Sequence, residues 1–505
     1  MVAALNSWWP DGQIFRSINS GATWTPLWAW TSYPSIDKYY TYSDTLAPWL
    51  GPDEDVFTLG TLQIGWMMEG LSIDPFDSNH WLYGTGSTIY GGHDLLNWDT
   101  EHNVTLKSLA DGIEETSVQS LISPPTGPPL LSALGDIEGF VHTSLTTPPA
   151  AEYQTPTWAT SADIDFAGND PTNIVRIGTG DSSTGKQVAL STDSGVTWQD
   201  YGAADNVTGG KVALSANGDI VLWRTSGNGV QVSQYTDAFV AVPTLPSDAA
   251  IASDKKNDSI FYGASGSSFY LSTNGGVTFA AKGSLGASTA PFKVVVNPNI
   301  TGDVWVSTDA GLFHSVNSGT TFTAVSGVTE AWAFALGAPK TTGGYPAIFA
   351  AANIGGVGYF RSDDEGVTWV QINDAAHGFG SAAANCLTAD PRIYGRVYIG
   401  TNGRGIFYGD VSGTVSTSSA TSSSTAKTTS STSKVTSTSS TTSKVTSTSS
   451  TTSKATSTSS TSTKSSSAAT STSTAAAYGQ CGGSNWTGAT VGLRFGIHLH
   501  IQQSL

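Results

Sequence analysis

The chain has 505 residues, with 39 acidic against 22 basic side chains and a net charge of −17, yet only 12% of its residues are charged and it carries 56 Gly and 16 Trp. That balance argues against nucleic acid and anionic membrane as partners, while an acidic cleft suits neutral or cationic ligands. Its two cysteines, Cys386 and Cys481, flank a long Ser/Thr stretch and are not placed to pair, so the fold must rest on packing.

The N-terminal stretch MVAALNSWWPDG lacks a basic region followed by an apolar core, and no segment approaches the roughly 20 apolar residues of a membrane span. Sequons at Asn103, Asn206, Asn257, Asn299 and Asn485 fit an exported protein. An adjacent aromatic pair, Trp8 and Trp9, precedes the first copy of a phrase that organises the chain. That phrase, Ser-x-Asp/Asn-x-Gly-x-Thr-Trp/Phe, occurs at Ser17–Trp24, Ser191–Trp198, Ser272–Phe279, Ser315–Phe322 and Ser362–Trp369. The Asp or Asn can hydrogen-bond its own backbone, Gly accepts positive φ, and the Thr-aromatic pair starts a strand, which describes the hairpin tip known as the Asp box. Such boxes report the fold and lie away from chemistry.

A second phrase sets the register: a turn with Asp/Asn-Pro or similar, then a short strand of aromatic and β-branched residues. It reads IDPFDSNHWLYGTG from Ile73, VNPNITGDVWVSTDAGLFHS from Val296 and ADPRIYGRVYIGTNGRGIFYGD from Ala389. With Asp74, Ser123, Asp170, Ser215, Asp254, Asn297, Ala338 and Asp390 taken as equivalent, the steps are 49, 47, 45, 39, 43, 41 and 52 residues. Seven intervals of this size, with short alternating strands and Gly-rich turns, predict an all-β, seven-bladed β-propeller over residues 50–410. Residues 1–49 read as the remnant of an earlier propeller.

From 411 to 477 the chain is almost wholly Ser, Thr, Ala and Lys, with the unit SKVTSTSSTT at Ser433 repeated at Ser443. Such a stretch cannot bury apolar surface and serves as a tether, its dense Ser/Thr suited to O-glycosylation. Residues 478–505 follow, opening on YGQCGGSNWTGAT (Tyr478–Thr490). This opening resembles the start of a fungal family 1 cellulose-binding module, and the resemblance implies that Tyr478 and Trp486 belong to its cellulose-stacking aromatic face and Cys481 to a disulfide. After Thr490 it stops, because VGLRFGIHLHIQQSL has no cysteine and no tyrosine, so the module is expected to be incomplete.

The segments LNSWWPDGQIFRSINSGATW (Leu5–Trp24), DPFDSNHWLYGTGSTIY (Asp74–Tyr90) and SPPTGPPLLSALGDIEGFVH (Ser123–His142) closely resemble glycoside hydrolase family 74, over about residues 1–410. The resemblance implies two tandem seven-bladed propellers, this chain holding the second, with a cleft between them that takes xyloglucan, a branched β-1,4-glucan. It also implies an inverting hydrolase, endo-acting or reducing-end-specific, with one aspartate from each propeller. The family phrase Gly-Asp-Ile-Gly-Gly-Phe matches GDIEGF here, which makes Asp136 the implied general acid. Glu138 departs from the family glycine and could either raise the Asp136 pKa as a like charge or block the sugar. The partner base is expected upstream of Met1, and Glu69, Asp74 and Asp94 have nothing to place them across a cleft. Trp8 and Trp9 match a pair that lines the cleft, with core packing as the competing role for either. The aromatic-rich run of Trp28, Trp30, Tyr33, Tyr39 and Tyr40 has a weaker claim.

Two other classes remain open on the sequence. A non-catalytic glycan-binding propeller would explain a missing base. A sialidase would also use Asp boxes but needs three arginines for the sialate carboxylate, to be drawn from Arg176, Arg224, Arg361, Arg392, Arg396 and Arg404. No cofactor is expected: the eight His show no metal-binding spacing, and phosphate-loop and dinucleotide fingerprints are missing. The chain is expected to be secreted and monomeric.

Overall fold

The structure, a computed structural model, describes residues 12–32, 35–43, 45–50, 64–65, 67–68, 70–86, 88–110, 116–201, 207–235 and 238–411, with the backbone of 2–5 and 503–504. The calls on Trp8, Trp9, Tyr33, Glu69, the tether at 412–477, Tyr478, Cys481 and Trp486 lie outside these residues. Nearly every described element is a strand, and no described helix is long and apolar enough to cross a membrane.

All five Asp boxes build the same turn. In each, the Gly amide donates to the Ser hydroxyl (Gly21, Gly195, Gly276, Gly319 and Gly366, at 2.8 to 3.0 Å), and the Thr amide donates to the Asp or Asn side chain. The Ser hydroxyl passes its own proton to the same Asp or Asn. Two successive left-handed residues make this possible, for example Ser194 at φ 66° and Gly195 at 88°. Each of the four boxes in the ring joins the third and fourth strands of its sheet, as Ser191–Trp198 does between Val188–Ser191 and Gln199–Asp200, and the box at Ser17–Trp24 joins the last two strands of a three-stranded sheet. The carboxylates in them are consumed by the turn: hydrogen bonds from the Thr368 side chain and amide hold Asp364 below the usual carboxylate range. Replacing Ser362 with Ala would strand the buried Gly366 amide, with an expected loss of about 1–3 kcal/mol in denaturant unfolding.

Seven sheets, each made of consecutive chain apart from one added strand in the last, contact one another in a cycle through their innermost strands. These strands are Val118–Ile122, Thr160–Phe166, Lys211–Leu214, Ala250–Ser253, Pro291–Val296, Glu330–Pro339 and Cys386–Ala389, and the last packs against the first. The middle strands between them are almost wholly buried, as in Ile174–Thr179 and Val304–Thr308, because both faces of every sheet are covered by neighbours. The seam between first and last sheets is held by Val118 N–H on Thr401 O at 2.9 Å, Gly403 N–H on Thr116 O at 3.0 Å and Ser117 Oγ on Asn402 Oδ1 at 2.7 Å. A two-residue strand, Gln503–Ser504, pairs with the outer strand Ile406–Gly409 of the last sheet.

The seven-bladed ring is therefore as expected, but its start is not. Strand Tyr40–Ser43 pairs in parallel with Val104–Ser108 and completes a five-stranded sheet with the strands of residues 70–92. Ile14, Leu27, Trp28, Trp81, Tyr83, Tyr90, Trp98 and Leu106 share one core. Residues 70–108 thus belong with residues 12–49, and the boundary drawn at 49/50 cuts through a common core; the ring begins at about residue 116. The cause is that the register phrase marks a blade without saying which ring owns it. Seven of the eight equivalent positions fall near the end of the innermost strand of a ring sheet, from Ala338 within Glu330–Pro339 to Asp170 four residues past Phe166, but Asp74 follows a strand of the sheet outside the ring. Trp49 touches both cores, with its ring 5.2 Å from that of Phe140.

Candidate functional site

The loop carrying Asp136 joins the second and third strands of the first ring sheet, Leu130–Leu134 and Val141–His142. Successive loops of an antiparallel sheet alternate ends, so this loop opens at the end opposite the one that a third-to-fourth connection, such as an Asp box, would occupy. That separation supports a purely architectural role for the boxes.

Locally the chain reverses through an unusual backbone: Asp136 at φ 68°, Glu138 at 54° and Gly139 at 141°. Ile137 donates its amide back to Gly135 O at 2.9 Å, Gly139 donates to Ile137 O at 2.6 Å, and Leu134 donates to Glu138 O at 2.9 Å. Gly139 has no substitute here, since a Cβ would lie 2.1 Å from the Ser132 carbonyl oxygen. Gly139→Ala is expected to lower stability by roughly 3 kcal/mol, read as a fall in melting temperature, through left-handed strain and that clash together.

The tight path sends neighbouring side chains in opposite directions. Asp136 is exposed, and its amide donates to Ala159 O at 3.0 Å. Glu138 is 3% exposed. Its carboxylate accepts from the Trp158 amide, from Ser161 Oγ at 3.0 Å and from Arg176 Nη1 at 2.8 Å. Arg176, in the middle strand of the next sheet, is fully buried. Its other nitrogen donates to the carbonyls of Gln154 (3.0 Å) and Pro156, and its guanidinium lies 4.3 to 5.1 Å from the rings of Trp158, Trp198 and Tyr153. Burial raises the Glu138 carboxyl above its ordinary range in spite of these donors, and burial lowers the Arg176 guanidinium to about 10 in spite of Glu138. Desolvation outweighs attraction at both ends of the pair.

Both roles expected of Glu138 are therefore corrected. Its charge is taken up by Arg176 within the interior, so it neither stands beside Asp136 in solvent nor reaches into the space where a sugar would lie. The cation that receives it was considered in the sequence only as one of the sialate-binding arginines. A sequence signal was available: an arginine between Val175 and Ile177 in a strand buried on both faces demands a buried anion. Of the other arginines, Arg361 pairs with Asp363, Arg392 with Asp390 and Arg396 with Asp410, so four of the six candidates, Arg176 included, are engaged by carboxylates of this chain, which weighs against a three-arginine carboxylate site.

The remaining candidates divide by burial. Trp28 and Tyr40 are core residues, with Trp28 Nε1 donating to Gly12 O, whereas Trp30 is 40% exposed and presents its ring edge-on to Trp28. Tyr39 stacks on His102 at 3.8 Å. Asp74 accepts from the Phe76 amide and lies 3.2 Å from His80 within its own turn, and Asp94 accepts from the Thr105 amide of the strand Val104–Ser108, so both carboxylates hold local structure. Among the described residues no group of three or more His, Cys, Asp or Glu is arranged to hold a metal ion. Among the described residues the candidate site thus reduces to Asp136, a solvent-facing carboxyl on a hydrogen-bonded turn.

Comparison with known proteins extends this local picture. Residues 477–491 match the model of the fungal cellulose binding domain. The chain is 46% identical over 430 residues to a xyloglucanase of Hypocrea jecorina (strain QM6a), covering 82% of this chain and 50% of that protein. It is 40% identical over 437 residues to a Paenibacillus xyloglucanase, covering 82% and 42%. Among solved structures, the GH74 xyloglucanase from Xanthomonas campestris superposes with a TM-score of 0.70 at 31% identity, over 81% of this chain and 57% of that one. The chain spans about half the length of the curated relatives it matches.

Proposed function

The chain is homologous to the glycoside hydrolase family 74 xyloglucanases, and on that premise we propose that it hydrolyses the β-1,4-glucan backbone of xyloglucan by inversion, with Asp136 as general acid. The observation that carries the assignment is the Asp136 turn: a carboxyl presented to solvent by a backbone that burial and hydrogen bonding hold in one conformation. An inverting hydrolase needs an acid to protonate the leaving oxygen and a base to activate water on the opposite face, with the two carboxyls about 6.5–9.5 Å apart. Asp136 fills the first role in this reading; the second falls to a carboxylate of the other propeller. Trp8 and Trp9 are proposed to stack on sugar rings, with Trp30 as a further aromatic open to solvent in the same N-terminal region.

The Ser/Thr tether and the cellulose-domain match support action outside the cell on plant-wall glucan. Tyr478 and Trp486 are the proposed cellulose contacts, but Cys481 is the single cysteine within the matched residues. Deleting residues 478–505 is accordingly expected to leave retention on microcrystalline cellulose almost unchanged, and a clear loss of retention would refute this.

A glycan-binding role without catalysis is the second reading, favoured by Asp136 being the single carboxyl assigned to chemistry among the described residues. One experiment separates the two: reducing-sugar release and the anomeric form of the first product on xyloglucan, for this chain and for Asp136→Asn. Release of the inverted anomer, lost in Asp136→Asn, supports the hydrolase; binding without release supports the second reading.

A further inference from the structure

We propose that the buried Glu138–Arg176 pair is a positioning device for Asp136, one that fixes the direction of its carboxyl without touching the substrate. The inference rests on Asp136 being the reacting carboxyl.

Three observations carry it. Two of the three donors that Glu138 gathers come from one short stretch of chain, the Trp158 amide and the Ser161 hydroxyl, and the same stretch supplies the Ala159 carbonyl that receives the Asp136 amide. Gly135 forms an isolated bridge with Thr160 in the same stretch. Asp136 and Glu138 are therefore clamped to a single entering strand, one through its backbone and the other through its carboxylate. Arg176 locks that strand from the far side by holding Glu138, Gln154 and Pro156 together.

The second observation is conformational. Two non-glycine residues within three positions, Asp136 and Glu138, hold left-handed φ values. Such a backbone persists where its surroundings over-determine it, and the surroundings here are the Glu138 contacts. Without them the turn can relax, and the exposed carboxyl at its tip would move most.

The third is energetic. Both members of the pair are shifted toward their neutral forms by burial. Well-packed apolar residues of similar volume commonly match or exceed the stability of such a pair. Structural demand alone therefore gives little reason to keep an ion pair at this point, whereas a demand for one fixed turn geometry does.

The test compares the full chain with the double variant Glu138→Leu/Arg176→Met, with Glu138→Gln and with Asp136→Asn, by thermal unfolding, hydrogen exchange across residues 133–140 and xyloglucan hydrolysis. The double variant is expected to keep its melting temperature within a few degrees while the turn amides exchange at least tenfold faster. Its kcat is expected to fall at least tenfold with KM changed less than threefold. Unchanged exchange and unchanged kcat in a folded double variant overturn the proposal; should that variant not fold, the same two readouts on Glu138→Gln decide it. Where the chain alone releases no sugar, exchange across the turn decides. Full activity in Asp136→Asn would sink the acid assignment instead, and exchange across the turn would register the two failures separately.

Discussion

Asp136→Asn is expected to lower xyloglucan hydrolysis by about 10²–10⁴-fold and to leave the melting temperature unchanged, as the proposed general-acid role predicts for a position that tolerates the replacement. The tolerance can be argued from the backbone. Asp136 sits at φ 68°, a region that Asn enters about as readily as Asp, and its amide rather than its side chain makes the bond to Ala159. The carboxyl is exposed, so no buried donor is left without an acceptor. A large loss of rate with intact folding therefore reports chemistry. Steady-state kinetics beside a thermal melt checks it, and a loss confined to KM would point to a sugar contact in place of proton transfer.

Arg176→Met carries the largest expected stability effect, about 3–5 kcal/mol, because it leaves the Glu138 carboxylate buried at 3% exposure with its cation gone. The pH dependence follows from the direction of the Glu138 shift. Its folded-state value lies above the ordinary 4.5, so the folded protein holds that proton more tightly than the unfolded chain, and stability from this group falls as pH rises between the two values. Removing Arg176 takes away a lowering influence and widens the window upward. The deficit of Arg176→Met is thus expected to be greater at pH 7 than at pH 5 in denaturant titrations, and a deficit independent of pH would contradict it.

Much of the fold was legible because its signals are local. An Asp box closes its hydrogen bonds within eight residues, so five copies of a phrase were five copies of a turn. The register positions were equally local, and the seven from Ser123 to Asp390 mark the seven sheets of the ring, while the eighth, Asp74, marks a sheet outside it. What they could not carry was membership: Asp74 looks like Asp170 in its turn, and only the pairing of Tyr40–Ser43 with Val104–Ser108 assigns its sheet to the other core. The site shows the same division. GDIEGF located the Asp136 turn, but the partner of Glu138 lies 38 residues on, in another sheet, and no local pattern links the two. Trp28 and Trp30 differ in fate because alternate residues of an edge hairpin meet different neighbours, which hydrophobicity alone cannot tell apart.

The seam between the first and last sheets has a mechanical consequence. Six of the seven joints in the ring are spanned by continuous chain, whereas this one is bridged among the described residues by loop hydrogen bonds and side-by-side packing. Under a pulling force the ring would accordingly part there first. Peeling residues 386–409 would release about 80 Å of chain before the next sheet bears the load. The ring would then fail in blade-sized steps, beginning with the sheet nearest its C-terminal end.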